Sequence, residues 1–525
     1  MKIHLYIPAI FLAGLLKLEG LAQQFPDTSL VRPGEVAYVS SFEQQVFTDL
    51  LLNKNPSWID LFLCNDSLVS PSKAKEYELV FNAVAGRYAT EYYQEMSEKK
   101  KIQKIYSSIH DEMLGKYVPL VPFSSIFKSK EYHCVSSSML YTLVFDRLKI
   151  PFEIRVLPGH VYLIAYPSTS CIIVETTDPL RGTIVYDQAF KADFVEYLRD
   201  SKLISKEEYY NSNLDSLFRK HFYQAKVVDH MGLASIQYQN QFLSSMEGLH
   251  YRDALENQKK AWVLKPDTTN TYLLFFSLLT DYSELDKGEQ ESAKQLGVLS
   301  RFLGKGITQD EIISEFAQIT QKQLLYEGND VLYDSSYNIL ISNISDSSLQ
   351  GEISFLYNYE RGRILCNNLE FENAIAYTLA AYERKPRNVD AKNNFILAFT
   401  KTFGSKNPKE RLELVDRYAT EVPSLAEDNI FTQLRLSTYL ELMDFAFYDK
   451  DAVKGEEYRK QFENLYPERN SKYFYLGSDI SRAYGTASSY YFRIGRNDKA
   501  RIILEKGLEY IPDDYNLQNR LEAVK

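Results

Sequence analysis

Apolar residues recur at helical spacing through most of this chain, and strand-like patterns are confined to one short region. From about residue 41 to residue 114 the spacing predicts amphipathic helices. The clearest stripe consists of Ile102, Ile105, Tyr106, Ile109 and Met113. After a break at Pro119 and Pro122, a further apolar pattern predicts a buried helix that begins at Cys134 and ends near Pro151.

Four strands are predicted directly after this helix, because β-branched and aromatic residues dominate short segments there. They are Phe152–Leu157, Val161–Tyr166, Cys171–Thr176 and Gly182–Tyr186. A hairpin centred between Ser168 and Thr169 would pair residues whose numbers sum to 337. A helix followed by four strands indicates an antiparallel sheet packed against one central helix, which is an α+β arrangement.

Beyond about residue 187 strand signals almost vanish, and long amphipathic helices continue to the C-terminus. A spacing of small residues and proline, seven and then five positions apart, recurs among them. Its members are Ala254, Ala261 and Pro266; Ala374, Ala381 and Pro386; and Ala500, Gly507 and Pro512, with a weaker unit ending at Pro467. The pattern resembles tetratricopeptide repeats, which have a period of about 34 residues. A generic α-solenoid is the alternative.

The composition is that of a folded protein, with 45% hydrophobic and 25% charged residues. At 525 residues the chain is too long for a single compact core, so several domains are expected. The formal net charge of −10 argues against nucleic-acid binding, which needs a basic face. Beyond the N-terminus, no segment has the roughly 18 uninterrupted apolar residues expected of a membrane span.

The first 22 residues have the features of an export signal. Lys2 supplies a positive start, an apolar run follows, and Gly20-Leu21-Ala22 is a small-x-small cleavage site. Lys17 and Glu19 interrupt the run, so a buried first helix is the alternative. The expected mature protein begins after Ala22 and is periplasmic or secreted.

These patterns together divide the chain into four parts. The expected parts are a signal peptide at residues 1–22, an N-terminal helical region at 23–100, an α+β core at 101–190 and an all-α repeat region at 191–525.

Candidate chemistry lies in the predicted core. Cys134 begins a helix, where free N–H groups and the helix dipole lower the pKa of a thiol. His160 begins a strand, and a carboxylate follows the next strand. This order lets a thiol, an imidazole and an acid meet, as a cysteine nucleophile requires. The alternatives are a small buried apolar residue for Cys134 and a structural sheet histidine for His160.

Two acids compete for the third position. In the 337 register His160 faces Thr177, and Glu175 shares that face because side chains alternate along a strand. A shift of the register by one residue would bring Asp178 to the same face. Glu175 is the preferred acid and Asp178 the alternative. His133 is interpreted as structural or substrate-adjacent.

The remaining cysteines predict neither a metal site nor a disulfide framework. Cys64, Cys171 and Cys366 match no zinc spacing. A zinc site built from Cys134, His160 and an acid lacks the close pair of ligands common in such sites. No cofactor and no metal are therefore predicted.

The core motifs resemble a known superfamily. Tyr132-His133-Cys134-Val135-Ser136, Pro158-Gly159-His160-Val161 and Val174-Glu175-Thr176-Thr177 are similar to the transglutaminase-like core, which shares its fold with papain-type cysteine proteases. The resemblance covers about residues 100–190 and is nearest to a bacterial branch with a short core followed by tetratricopeptide-like helices. It implies a Cys–His–acid triad, with Glu in place of the commoner Asp. Some members of the superfamily have lost catalysis.

Two functions are compatible with these observations. The first is an exported cysteine-dependent amide-bond enzyme that uses Cys134, His160 and Glu175, with the repeats binding a protein or peptide. Transfer to an amine and hydrolysis by water are both open. The second is a non-catalytic tetratricopeptide-like scaffold of the cell envelope with a degenerate core.

Overall fold

The computed structural model describes residues 30–524 except 53, 55–56, 158, 179–181, 186–187, 202, 223–225, 423–424, 426–427 and 467–475. The predicted signal peptide lies outside the described residues. The fold is mostly helical with few strands, as the sequence pattern predicts at this level. The chain divides into two compact units, Met1–Gln350 and Gly351–Lys525.

Among its described residues, the first unit combines α-helices with seven short strands. Its helices are Ser41–Leu51, Trp58–Leu63, Pro71–Ala85, Glu91–Gln94, Glu98–Met113, Ser125–Ser129, Cys134–Arg147, Gln188–Asp200, Lys206–Asn211, Leu214–Phe222, His230–Glu247, Tyr251–Leu264, Thr268–Glu284, Gln290–Leu299, Gln309–Thr320 and Asp330–Asn343. Its strands are β1 (Lys116–Tyr117), β2 (Glu131–Tyr132), β3 (Phe152–Leu157), β4 (His160–Ala165), β5 (Ile172–Val174), β6 (Thr183–Val185) and β7 (Lys226–Val228).

Five of the strands form one antiparallel sheet in the order β6-β5-β4-β3-β7. Strand β3 has the predicted bounds, β4 begins and ends one residue earlier than predicted, and β5 and β6 lie within longer predicted segments. The pairs Leu163–Val174 and Ala165–Ile172 confirm the hairpin register whose numbers sum to 337. The fifth strand, β7, lies where the sequence predicts helix, so that prediction is wrong for these three residues. Pairing with β3 fixes the extended conformation of β7, because a segment of three residues has too little local pattern to predict a strand.

Both faces of the sheet are covered, because side chains along β4 alternate between them. Val161, Leu163 and Ala165 join the core that contains the helix Cys134–Arg147. Tyr162 and Ile164 point to the opposite face. Apolar residues of the helices Gln188–Asp200 and Leu214–Phe222 cover that face, namely Val195, Leu198, Leu217 and Phe218. The helix that begins at Cys134 is therefore held rigidly against the sheet.

Helices before and after the sheet share the same apolar core, which includes Phe42 and Leu264. A buried ion pair lies beside it. Lys260 Nζ is 2.8 Å from Glu43 Oε2, and the two side chains are 1% and 0% exposed. Tyr238 Oη donates a second hydrogen bond to Glu43, at 2.6 Å. These contacts fix the first described helix against the helices that follow the sheet.

The second unit is helical throughout the part that the structure describes. Its helices are Ser347–Asn367, which begins just before the division, and then Phe371–Arg384, Val389–Ser405, Pro408–Glu421, Asn429–Tyr448, Ala452–Leu465, Gly477–Arg493, Asn497–Tyr510 and Tyr515–Ala523.

The repeated small residues mark helices of equal length. Tyr251–Leu264, Phe371–Arg384, Ala452–Leu465 and Asn497–Tyr510 each have 14 residues, and each ends two positions before the proline of its unit. Ala254, Ala374 and Ala500 are fully buried. Small residues at these positions allow close helix packing, as the repeat pattern predicts.

Candidate active site

Cys134 is the first residue of its helix, and His133 caps that helix. Nδ1 of His133 accepts a hydrogen bond from the backbone N–H of Val135, at 3.2 Å. Nε2 lies 2.8 Å from the carbonyl oxygen of Val121, to which it donates in the same tautomer. Ser136 Oγ accepts from the His133 N–H and completes a capping box. The thiol therefore stands at the positive end of a capped helix.

His160 and Glu175 meet at the neighbouring strand ends. His160 begins β4, and Glu175 follows β5 directly. Nε2 of His160 is 2.6 Å from Oε2 of Glu175. The other carboxylate oxygen of Glu175 accepts hydrogen bonds from the Oγ1 and N–H of Thr177, at 2.8 and 3.3 Å. The carboxylate is thus oriented from both sides.

A hydroxyl contact ties the acid-bearing segment to the helix. Ser137 Oγ donates to Thr176 Oγ1 at 2.8 Å, and both residues are fully buried. Tyr106 Oη donates to the backbone carbonyls of Glu175 and Asp178, each at 2.9 Å. These contacts hold Glu175 in register with Cys134. Sequence reasoning missed them because serine, threonine and tyrosine at these positions carry no distinctive signal.

The thiol of Cys134 is acidic in this environment. Burial raises its pKa, but hydrogen bonds and positive charge from His133 and His160 outweigh burial and lower the pKa to about 6. Burial lowers the pKa of His160, but its hydrogen bonds to Cys134 and Glu175 and their negative charges raise it to about 10. Between about pH 6 and pH 10 the pair is therefore a thiolate beside an imidazolium.

His133 and His160 both act on the thiol of Cys134, but their other contacts differ. The ring nitrogens of His133 contact backbone groups, Nδ1 the N–H of Val135 and Nε2 the carbonyl oxygen of Val121. His160 instead contacts a carboxylate, which favours the charged ring. His133 fixes the start of the helix and also lowers the pKa of the thiol through its hydrogen bond and charge.

Tyr117 is a residue of the site that sequence reasoning missed. It lies on β1, which pairs in parallel with β2, opposite Tyr132. The two rings meet edge to face with centroids 6.0 Å apart. Burial and the negative charges of Cys134 and Glu175 raise the pKa of Tyr117. Because the side chain is still 50% exposed, it borders the site on the solvent side.

His160 and Glu175 are in direct contact, and a hydrogen bond and charge from His160 act on the thiol of Cys134. The carboxylate bonded to His160 is that of Glu175, whereas the backbone carbonyl of Asp178 accepts a hydrogen bond from Tyr106. The four cysteines are free thiols. Cys64 is buried against Tyr238, and burial raises the pKa of its thiol.

Two further observations concern only the residues that the structure describes. Among them, no group of three or more His, Cys, Asp and Glu side chains could hold a metal ion. None of the helices described is both long and apolar enough to cross a membrane.

No protein-family model matches the chain, and no curated protein matches it. The chemistry of the site therefore has to be argued from its own geometry.

Proposed function

We propose that this protein is a cysteine-dependent amide-bond enzyme of the transglutaminase-like type. Cys134 is the nucleophile, His160 the proton carrier and Glu175 the acid that orients His160. The observation that carries the proposal is the contact of 2.6 Å between His160 Nε2 and Glu175 Oε2, beside a thiol whose pKa is about 6. An acidic thiol paired with an oriented imidazole is the arrangement of a cysteine nucleophile.

In the first half of the reaction, the Cys134 thiolate attacks the carbonyl carbon of a carboxamide or peptide bond. A carbon–sulfur bond forms, and the C–N bond breaks as His160 gives its proton to the leaving nitrogen. The negative charge of Cys134 helps to raise the pKa of His160, so loss of that charge in the thioester makes His160 a stronger acid. The backbone N–H of Cys134 is a donor available to the developing oxyanion.

In the second half, an amine or water attacks the thioester. His160, now neutral, takes the proton of the attacking group, and the C–S bond breaks to regenerate the thiolate and the imidazolium. An amine gives a new amide, and water gives a carboxylic acid. Glu175 stays ionised throughout and stabilises the charged imidazole.

The surrounding fold supports this proposal. An antiparallel sheet packs against one buried helix that begins at Cys134, which is the arrangement that the resemblance implies. The helices of 14 residues support a repeat region that binds a protein or peptide. Export, with cleavage after Ala22, belongs to the proposal and rests on the sequence of residues 1–22.

Alkylation with iodoacetamide tests the nucleophile without a known substrate. The rate at each cysteine is measured by peptide mass spectrometry between pH 5 and pH 9. We expect Cys134 to react first, with an apparent pKa of about 6. In His160→Ala the thiol pKa should rise, because one of the two histidines that lower it is lost. The rate at pH 6.5 should then fall about tenfold or more. His250→Ala, an exposed histidine elsewhere, is the matched control.

Two results would count against the enzyme. Equal labelling of all four cysteines in the folded protein would indicate an inert core and favour the scaffold protein. Rapid labelling of Cys134 that His160→Ala leaves unchanged would mean that the helix start alone activates the thiol. Release of ammonia from a glutamine-containing protein, absent in Cys134→Ala, would establish the reaction itself.

A further inference from the structure

One tyrosine side chain holds the backbone of the segment that carries Glu175. Tyr106 lies on the helix Glu98–Met113, and its Oη is 2.9 Å from the carbonyl oxygens of both Glu175 and Asp178. Because a hydroxyl has a single proton, the two carbonyls share it in a three-centre hydrogen bond. The N–H of Asp178 lies 3.4 Å from the Glu175 carbonyl oxygen, as in a β-turn. Tyr106 therefore closes the turn on which the proposed acid stands.

The ring of Tyr106 packs against Gly182, the residue before β6. A Cβ atom on Gly182 would overlap ring atoms of Tyr106, so a larger residue does not fit there without a shift of the ring. The carbonyl of Gly182 accepts a hydrogen bond from the N–H of Glu175 at 2.9 Å. Tyr106 is only 5% exposed, so both contacts lie in the interior. The backbone of Glu175 is thus fixed through its carbonyl by the hydroxyl of Tyr106, and through its N–H by the glycine under the ring.

A second tyrosine links Tyr106 to the helix that begins at Cys134. Tyr141 lies about two turns after Cys134 on that helix and is fully buried. Its Oη donates to the backbone carbonyl of Tyr106 at 3.0 Å, and the two rings stack with centroids 5.4 Å apart and an interplanar angle of 11°. The helix that carries the nucleophile and the turn that carries the acid are therefore both bonded to Tyr106.

The hydroxyl of Tyr106 acts on the position of Glu175 and not on the charge of its carboxylate. Burial raises the pKa of Tyr106, and the negative charge of Glu175 raises it further, so the hydroxyl stays protonated and neutral. It donates to backbone carbonyls, whereas the carboxylate oxygens of Glu175 are bonded by His160 and Thr177. Loss of the hydroxyl would therefore free the turn without removing the charge that faces His160.

From these contacts we propose that Tyr106 is a positioning residue for the proposed reaction: its hydroxyl holds the turn where the Glu175 carboxylate reaches His160. The proposal rests on the proposed function, because Tyr106 acts only through the pair of His160 and Glu175. That contact is 2.6 Å long, and a hydrogen bond weakens steeply as its geometry degrades. The thiol of Cys134 and the ring of Tyr162, stacked at 6.1 Å, also face His160. Tyr106 bonds the backbone of Glu175, so it acts on His160 through the acid.

The pKa of His160 in the full chain reports the position of the acid. It is measured by NMR titration of the protein with ¹³C-labelled histidine. Tyr106→Phe removes the hydroxyl and keeps the ring. We therefore expect the pKa of His160 to fall from about 10 by about 0.5 to 1 unit, less than in Glu175→Gln. Gly182→Ala keeps the hydroxyl but displaces the ring, and it should shift the pKa of His160 in the same direction.

Tyr88→Phe is the matched control. Tyr88 is also buried, and its hydroxyl bonds Ser108 on the same helix as Tyr106. Urea denaturation should show similar losses of stability in Tyr88→Phe and Tyr106→Phe, because each removes one buried hydroxyl. The pKa of His160 should fall in Tyr106→Phe and stay unchanged in Tyr88→Phe.

An unchanged pKa of His160 in folded Tyr106→Phe, or an equal fall in Tyr88→Phe, would overturn the proposal, because the hydroxyl would then serve stability alone. Should Tyr106→Phe fail to fold, Gly182→Ala decides by the same criterion. If Glu175→Gln lowers the pKa of His160 and Tyr106→Phe does not, the pair of His160 and Glu175 stands and the positioning role alone is lost. If Glu175→Gln also leaves the pKa unchanged, the acid of the proposed function is wrong, and the role of Tyr106 falls with it.

Discussion

The two histidines beside Cys134 have different tasks because their hydrogen-bond partners differ. His133 bonds two backbone groups, one as acceptor and one as donor, and so keeps the helix start in place. His160 bonds a carboxylate, so its ring carries charge. The thiolate beside it is stabilised by that charge in addition to the helix start. Removal of the Glu175 carboxylate should therefore affect the thiol through a change in the charge of His160.

Glu175→Gln should lower the pKa of His160 from about 10 by about 1 to 3 units, the effect of losing one close opposite charge. His160 would then lose its proton at a lower pH. The upper limit of the pH range in which the thiolate–imidazolium pair exists would therefore fall. NMR titration of the protein with ¹³C-labelled histidine measures this. Asp178→Asn is the control and should leave the titration of His160 unchanged. A larger effect on the His160 pKa in Asp178→Asn than in Glu175→Gln would mean that Asp178, not Glu175, is the acid.

The sequence could distinguish Glu175 from Asp178 because the turn between the two strands is short. A turn of known centre fixes the pairing register, and the register fixes the face of every side chain. The observed pairs Leu163–Val174 and Ile164–Ile173 continue towards His160 and Glu175 in that register. The contribution of Tyr117 could not be predicted in this way. Its strand has two residues, and its partner Tyr132 lies across a parallel pairing.

At the scale of elements, prediction succeeded where a segment carries its own pattern. Strands β3 to β6 are rich in β-branched residues, and the 14-residue helices are delimited by proline and small residues. Strand β7 has three residues and is extended because it pairs with the free edge of β3. Its conformation is decided by tertiary pairing, which local sequence does not encode.

Close packing between two helices of the second unit can be tested at Gly362. A Cβ atom on Gly362 would lie 2.6 Å from Cγ2 of Thr378 on the next helix. Gly362→Ala should therefore lower the free energy of unfolding of the second unit by about 1 to 3 kcal/mol. Gly404, also helical, has no atom within 4 Å of the corresponding position.

Gly404→Ala should instead stabilise the same unit by about 0.5 kcal/mol, because alanine is the better helix former. Urea denaturation followed by circular dichroism compares the two variants. A Gly362→Ala protein as stable as the Gly404→Ala protein would show that the helices Ser347–Asn367 and Phe371–Arg384 do not need the close approach.

At the scale of the molecule, the first described segment is held by residues far along the chain. Arg301 donates to the Leu30 carbonyl at 3.1 Å and to both carboxylate oxygens of Glu35, each at 2.6 Å. Lys259 donates to the Glu35 carbonyl at 3.0 Å. These partners lie more than 200 positions away along the chain. Local sequence patterns do not predict docking over such a separation.

Arg301→Ala should release this segment. The Arg301 side chain is only 5% exposed, so its loss leaves Glu35 without its main partner. We expect amide hydrogen exchange of residues 30–39 to accelerate about 5- to 100-fold, which corresponds to about 1 to 3 kcal/mol of local stability. Lys73→Ala, which removes an exposed ion pair with Glu76, is the control and should leave the exchange of this segment unchanged.

The pH dependence of that exchange supplies a second readout. Burial raises the pKa of Glu35, but its bonds to Arg301 and Arg32 outweigh burial and keep the pKa below the ordinary value of 4.5. A lowered pKa means that this contribution to stability is complete above about pH 4.5 and is lost as the pH falls through the folded pKa. After correction for intrinsic exchange rates, the wild-type segment should therefore lose protection in acid and approach Arg301→Ala. Equal protection of both proteins at pH 7 would mean that Arg301 does not hold the segment, and its burial would then serve packing alone.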